Sequence, residues 1–139
     1  MVRDRVRSRR GFTLVETALV VVVMGLMLAI AAPRFTAMRA GFTIDTAAYQ
    51  VAGDLRRAQV EAIKRNQTIT VAKTAATTYN ITQIGDRALE PGVTFDAGAM
   101  TVSFASFGPP VGGGATFTIT HSGRTKTVTV GANGLVTVQ

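Results

Sequence analysis

The 139-residue sequence contains no cysteine. An exported domain of this composition is held together by burial alone, because no disulfide can form. Thiol nucleophiles, thiolate zinc sites and thiol redox chemistry are excluded with it. Histidine is almost as scarce. The single one, His121, sits in a threonine-rich run beside a turn, with no acidic residue at a spacing that completes a metal site or a catalytic triad. A polar strand-end residue is its ordinary reading. Asp86, Glu90 and Asp96 lack the regular spacing of a calcium loop. The glycine run 112–114 is followed by neither Lys-Ser/Thr nor a helical pattern, so it reads as a flexible connection and not as a phosphate cradle. No metal, cofactor or catalytic constellation is expected.

Positive charge dominates, with a formal net charge of +7, but its placement is uneven. Arg3, Arg5, Arg7, Arg9 and Arg10 against Asp4 give the first ten residues +4. Arginines immediately before an apolar segment stay on the cytoplasmic side, which predicts that the residues after the segment face the other side of the membrane. A nucleic-acid-binding tail is the competing reading of the same cluster.

The apolar segment runs from Phe12 to Ala32, 21 residues with one formal charge. At about 1.5 Å per residue a helix of that length spans roughly 30 Å of hydrocarbon. A secretory signal has a shorter apolar region and a small-residue cleavage site beyond it; here the small residue, Gly11, comes first. Glu16 is the expensive residue, since an acid deep in a membrane helix costs about 2.5–3.5 kcal/mol and usually has a partner or a task. Alternatively it lies close enough to the headgroups to reach water. Gly25 and Pro33 are the two helix breakers, and Pro33 falls at the membrane exit.

Beyond Pro33 the apolar positions Phe35, Met38, Phe42, Ala48, Val51, Ala52, Leu55, Ala58, Ala62 and Ile63 step by three and four, which predicts an amphipathic helix. Gly41 or "TID" at 43–45 offers an interruption, and the pattern favours continuity. Lys64, Arg65 and Asn66 mark the helix end. Residues 67–139 then alternate in seven runs: "TITVAK", "TYNITQI", "GVTFD", "MTVSFASF", "ATFTITH", "TKTVTVG" and "LVTVQ". The breaks between them include "RALEPG" and "GPPVGGG", and hairpins are expected at Ser122-Gly123 and Asn133-Gly134. A sheet with one apolar face needs a cover, and the helix stripe supplies it. The expected class is therefore α+β: a long N-terminal helix, transmembrane in its first half, packed on antiparallel β-sheets.

The string "GFTLVE" ahead of a long apolar run resembles the class III signal of type IV pilins and type II secretion pseudopilins. The resemblance implies that a prepilin peptidase cuts after Gly11 and that the new N-terminus, Phe12, is methylated. It places Glu16 where the family's glutamate pairs with the N-terminal amine of a neighbouring subunit, a pairing that offsets the carboxylate's cost in lipid. It also gives Pro33 a role, as a point where the helix loosens when subunits pack. "LRRAQVEAIKRNQTITV" at 55–71 and "FASFGPPVGGGATFTIT...GANGLVTV" resemble the GspH and FimT branch.

By that resemblance residues 1–11 are a removed leader, 12–33 a membrane span, 34–66 the amphipathic half of the helix and 67–139 the β domain. The implied protein is a non-enzymatic minor pseudopilin or minor pilin of the cytoplasmic membrane. Its C-terminal domain lies on the periplasmic side, and its partners are other pilin subunits, the prepilin peptidase and the bilayer. A second class comes from "SGRTKT", which sets Arg124 and Lys126 on one strand face near a turn. "GRTK" is similar to the Gly-Arg-x-Arg stretch through which some FimT-type minor pilins bind DNA, with lysine keeping the charge but losing the bidentate fork. A single-pass membrane enzyme is the third class.

Overall fold

A computed structural model describes residues 11–139, so the arginine cluster lies outside the described residues. They form two compact units, one ending at Ala37 and the other running from Met38 to Gln139. One helix, α1 (Leu14–Arg65), passes through both. Neither Gly41 nor "TID" breaks it.

In the first unit α1 is long and apolar enough to cross a membrane. Pro33 lies inside the helix; having no amide hydrogen, it leaves the Ala29 carbonyl without its usual donor.

In the second unit α1 ends on a left-handed Asn66 (φ 50°). The Gln67 amide donates to Ala62 and the Asn66 amide to Ile63, at 3.1 and 3.2 Å, the paired bonds of a Schellman cap. Arg65 Nε donates to Glu61 Oε2 at 3.0 Å, which holds the Glu61 carboxyl below its ordinary range.

Eight strands follow: β1 (Ile69–Lys73), β2 (Thr78–Ile81), β3 (Gly85–Ala88), β4 (Thr94–Phe95), β5 (Thr101–Phe104), β6 (Ala115–His121), β7 (Arg124–Val130) and β8 (Val136–Val138). They make two four-stranded antiparallel sheets, ordered β3-β2-β1-β5 and β4-β6-β7-β8. Seven strands were expected. The eighth, β3, lies partly in "RALEPG", which composition marks as a break. Its Gly-Asp-Arg-Ala sequence has poor strand propensity, and pairing with β2 together with an Asn80–Asp86 side-chain hydrogen bond of 2.7 Å holds it. "TYNITQI" accordingly stops at Ile81 and turns through Gln83 (φ 65°). Both expected hairpins form. Ser122 and Gly123 carry positive φ (49° and 75°) in a two-residue turn, whereas β7 and β8 are joined by residues 131–135, with the Asn133 side chain accepting from the Leu135 amide.

The core lies between α1 and both sheets. Facing them, α1 buries Ile44, Ala47, Ala48, Val51, Ala52, Leu55, Ala58 and Ala62. Five alanines in eight positions leave the sheets room to approach closely. Opposite stand Ile69, Val71, Ile81, Val102 and Phe104 from one sheet and Phe117, Ile119, Val128 and Val130 from the other. Tyr79 and Phe95 meet edge to face across the sheets, with centroids 5.7 Å apart. This stripe corrects the expected one. Phe35, Met38, Phe42 and Ile63 are exposed, and Ile44 and Ala47 stand among the buried positions.

Polar side chains of α1 reach backbone carbonyls beyond it: Gln50 to Ala88, Arg56 to Val136 and Gln59 to Gly108, at 2.9, 2.9 and 3.0 Å. Tyr79 Oη donates to Asp54 Oδ2 at 2.6 Å, and Arg87 Nε stands 3.7 Å from the same oxygen. Burial, then the bond to Asp54, pushes the Tyr79 hydroxyl well above its ordinary pKa. The glycine run is less free than its composition implies. A Cβ on Gly114 collides with the Val130 carbonyl oxygen, so a close backbone approach requires glycine there.

Candidate processing and assembly segment

The expected processing residues, Gly11 and Phe12, are non-helical and exposed, and helix begins two residues later. Thr13 is the reason. Its Oγ1 accepts the Glu16 amide at 3.2 Å and its carbonyl accepts the Thr17 amide at 3.2 Å, the bonds of an N-cap residue. Thr13-x-x-Glu16 is also the spacing of a capping box. Glu16 stands in the first turn of α1, where the positive end of the helix dipole favours a carboxylate. Gly11 and Glu16 therefore sit on either side of one capped helix start: an exposed, non-helical stretch, then a lone acid on the first turn.

The apolar side chains from Leu14 to Ile30 are exposed in the isolated chain. In the second unit, Met38, Phe42, Tyr49, Val60 and Ile63 form a further apolar band. At 100° per residue they fall within a sector of about 60° that the sheets do not cover. Phe42 and Tyr49 are 65% and 66% exposed. Sequence reasoning missed this second band. Its signal was present in the extra apolar residues Tyr49 and Val60, more than one packed face requires. Pro33 donates nothing, and its carbonyl accepts the Thr36 hydroxyl at 2.9 Å.

Arg124 and Lys126 share a face of β7, as expected from their spacing. The register pairs Lys126 with the buried Ile119, so this face is the one turned toward α1. Lys126 Nζ lies 3.3 Å from Asp45 Oδ1, with both side chains partly exposed, and the Arg124 guanidinium lies beside Gly41. Among the described residues Arg124 has no acidic partner. His121 ends β6, and its Nδ1 bonds the Gly92 carbonyl oxygen at 2.7 Å, a structural contact to the loop before β4. No group of three or more metal-ligating side chains occurs among the described residues.

Comparison with known proteins bears on the same segments. Residues 47–134 match the family described as type II transport protein GspH, and residues 6–32 match the prokaryotic N-terminal methylation motif. Over 59 residues the chain is 41% identical to the pilin-like protein PilA1 of Thermus thermophilus. That match covers 42% of this chain and 36% of the relative, so the chain spans about a third of that protein's length. Two crystal structures of the type IV minor pilin FimU of Pseudomonas aeruginosa share the fold. Each has a TM-score of 0.57 at 15% identity over 68% of this chain, covering 91% and 87% of the FimU chains.

Proposed function

The chain belongs to the GspH family, and from that premise we propose that it is a non-enzymatic minor pseudopilin or minor pilin that assembles through α1 into a type II secretion pseudopilus or a type IV pilus. The supporting observation is that α1 carries more apolar surface than its own fold uses. Its alanine-rich face packs on the sheets, while Met38, Phe42, Tyr49 and Val60 stand uncovered. Apolar bands of this kind mark contact with another protein or a membrane.

On this reading residues 1–11 are removed by a prepilin peptidase, Phe12 becomes the methylated N-terminus and residues 12–33 span the cytoplasmic membrane. Residues 34–66 and 67–139 stand on the far side. The Glu16 carboxylate, uncompensated in lipid, pairs with the Phe12 amine of an adjoining subunit and sets the register. Pro33 supplies the point at which the helix loosens. Mass spectrometry of membrane-extracted protein then finds residues 1–11 gone and one methyl group on Phe12, and Glu16→Gln blocks assembly. An intact leader, or filaments unaffected by Glu16→Gln, refutes the assignment.

A role in DNA uptake through Arg124 and Lys126 is the second reading. Unpaired Arg124 favours it, and the Lys126–Asp45 contact weakens it. DNA affinity that falls with salt and with both cations replaced by alanine is its signature.

A further inference from the structure

The end of the second unit where α1 enters carries a cationic cluster that assembly through the helix does not use. Arg124 and Lys126 of β7 line an open concavity with Gly41, Ile44, Asp45 and Thr125. Gly41 leaves the arginine open room on the helix surface. A methyl group there sits 3.6 Å from Arg124 Nη1, so any longer side chain competes with the guanidinium for its place on the helix. Lys126 spends part of its charge on Asp45, 3.3 Å away, and that pair is 37% and 46% exposed, which makes it a weak contact. Positive charge remains in excess. The unpartnered guanidinium presents a fork suited to a phosphate or carboxylate.

We propose that this cluster binds the phosphate headgroups of acidic phospholipids, holding the β6–β7 hairpin against the bilayer surface before the subunit leaves the membrane. The proposal rests on the membrane-anchored reading of residues 12–33. Charge complementarity and tethering carry it. Gly41 lies eight positions beyond Pro33, no more than about 28 Å even fully extended. Anchoring therefore makes the encounter between hairpin and headgroups intramolecular, with a high effective concentration. Each cation at an anionic surface then contributes about 1 kcal/mol, enough to hold a tethered hairpin though not to bind a free domain.

The chain has no thiol, so Thr120→Cys creates a unique labelling position on the outward side of β6, outside the concavity. The full-length protein carrying a fluorophore there is reconstituted into vesicles containing a headgroup-nitroxide lipid. One set is phosphatidylcholine; the other contains phosphatidylcholine and phosphatidylglycerol in equal parts. Quenching is expected in the acidic vesicles and is lost at high salt. Contact falls about fivefold with Arg124→Gln and again with Lys126→Gln, and it rises with Asp45→Asn, which frees Lys126.

Equal quenching in neutral vesicles, or no response to Arg124→Gln, overturns the proposal. If duplex DNA shields the label at low salt while acidic vesicles give no quenching, the cations serve a nucleic acid and the proposal fails. Flotation with neutral vesicles separates the two readings. A chain that floats without quenching loses only the headgroup contact; one that does not float loses the anchor as well.

Discussion

The Tyr79 hydroxyl donates a 2.6 Å hydrogen bond to Asp54 and so ties β2 to the polar flank of α1. Its pKa is raised by burial and by that carboxylate. Above its ordinary value of about 10 the unfolded chain releases this proton while the folded chain keeps it, so stability is complete below pH 10 and declines as pH rises further. One proton gives a slope of up to about 1.4 kcal/mol per pH unit. Denaturant midpoints compared at pH 8 and pH 11 fall less for Tyr79→Phe than for the parent chain.

Leu55 is fully buried between α1 and the sheets, among alanines that cannot swing into a vacancy. Leu55→Ala lowers the unfolding free energy by about 2–5 kcal/mol, read from urea unfolding.

At Gly114 the obstacle is backbone, not a movable side chain. Gly114→Ala drives a methyl group into the Val130 carbonyl and separates the start of β6 from the end of β7. The expected loss is about 1–3 kcal/mol, whereas Gly112→Asn, at φ 82° in open space, is far milder. Equal melting temperatures for the two variants contradict the account.

Removing the Thr13 hydroxyl strips the Glu16 amide of its acceptor. Thr13→Ala weakens the cap by about 1 kcal/mol. Hydrogen exchange at Glu16 then quickens about fivefold in micelles, while exchange at the Leu55 amide is unchanged.

Period and punctuation made much of this architecture readable in advance. The shift from steps of three and four to strict alternation at Asn66 set the boundary between helix and sheet, and the Schellman bonds fall there. The α+β class followed. β3 was illegible because Gly85 and Asp86 carry no strand preference; their pairing partners, Ile81 and Asn80, supply what local sequence does not. Phe42 was assigned to the packed stripe because periodicity reveals how many apolar faces a helix has, not which one its own domain occupies. The two cations were rightly placed on one face of β7, but their nearness to Asp45 and Gly41 depends on how the hairpin lies along α1, which no local pattern encodes.

The ladder between β7 and β8 directs the amides and carbonyls of Val136 and Val138 away from the sheet, leaving a rim onto which a stray extended peptide can zip. Arg56 occupies the Val136 oxygen on that rim. A guanidinium stationed there denies an intruding backbone its first foothold, so the open border of the sheet is guarded against zipping to a second copy of the domain.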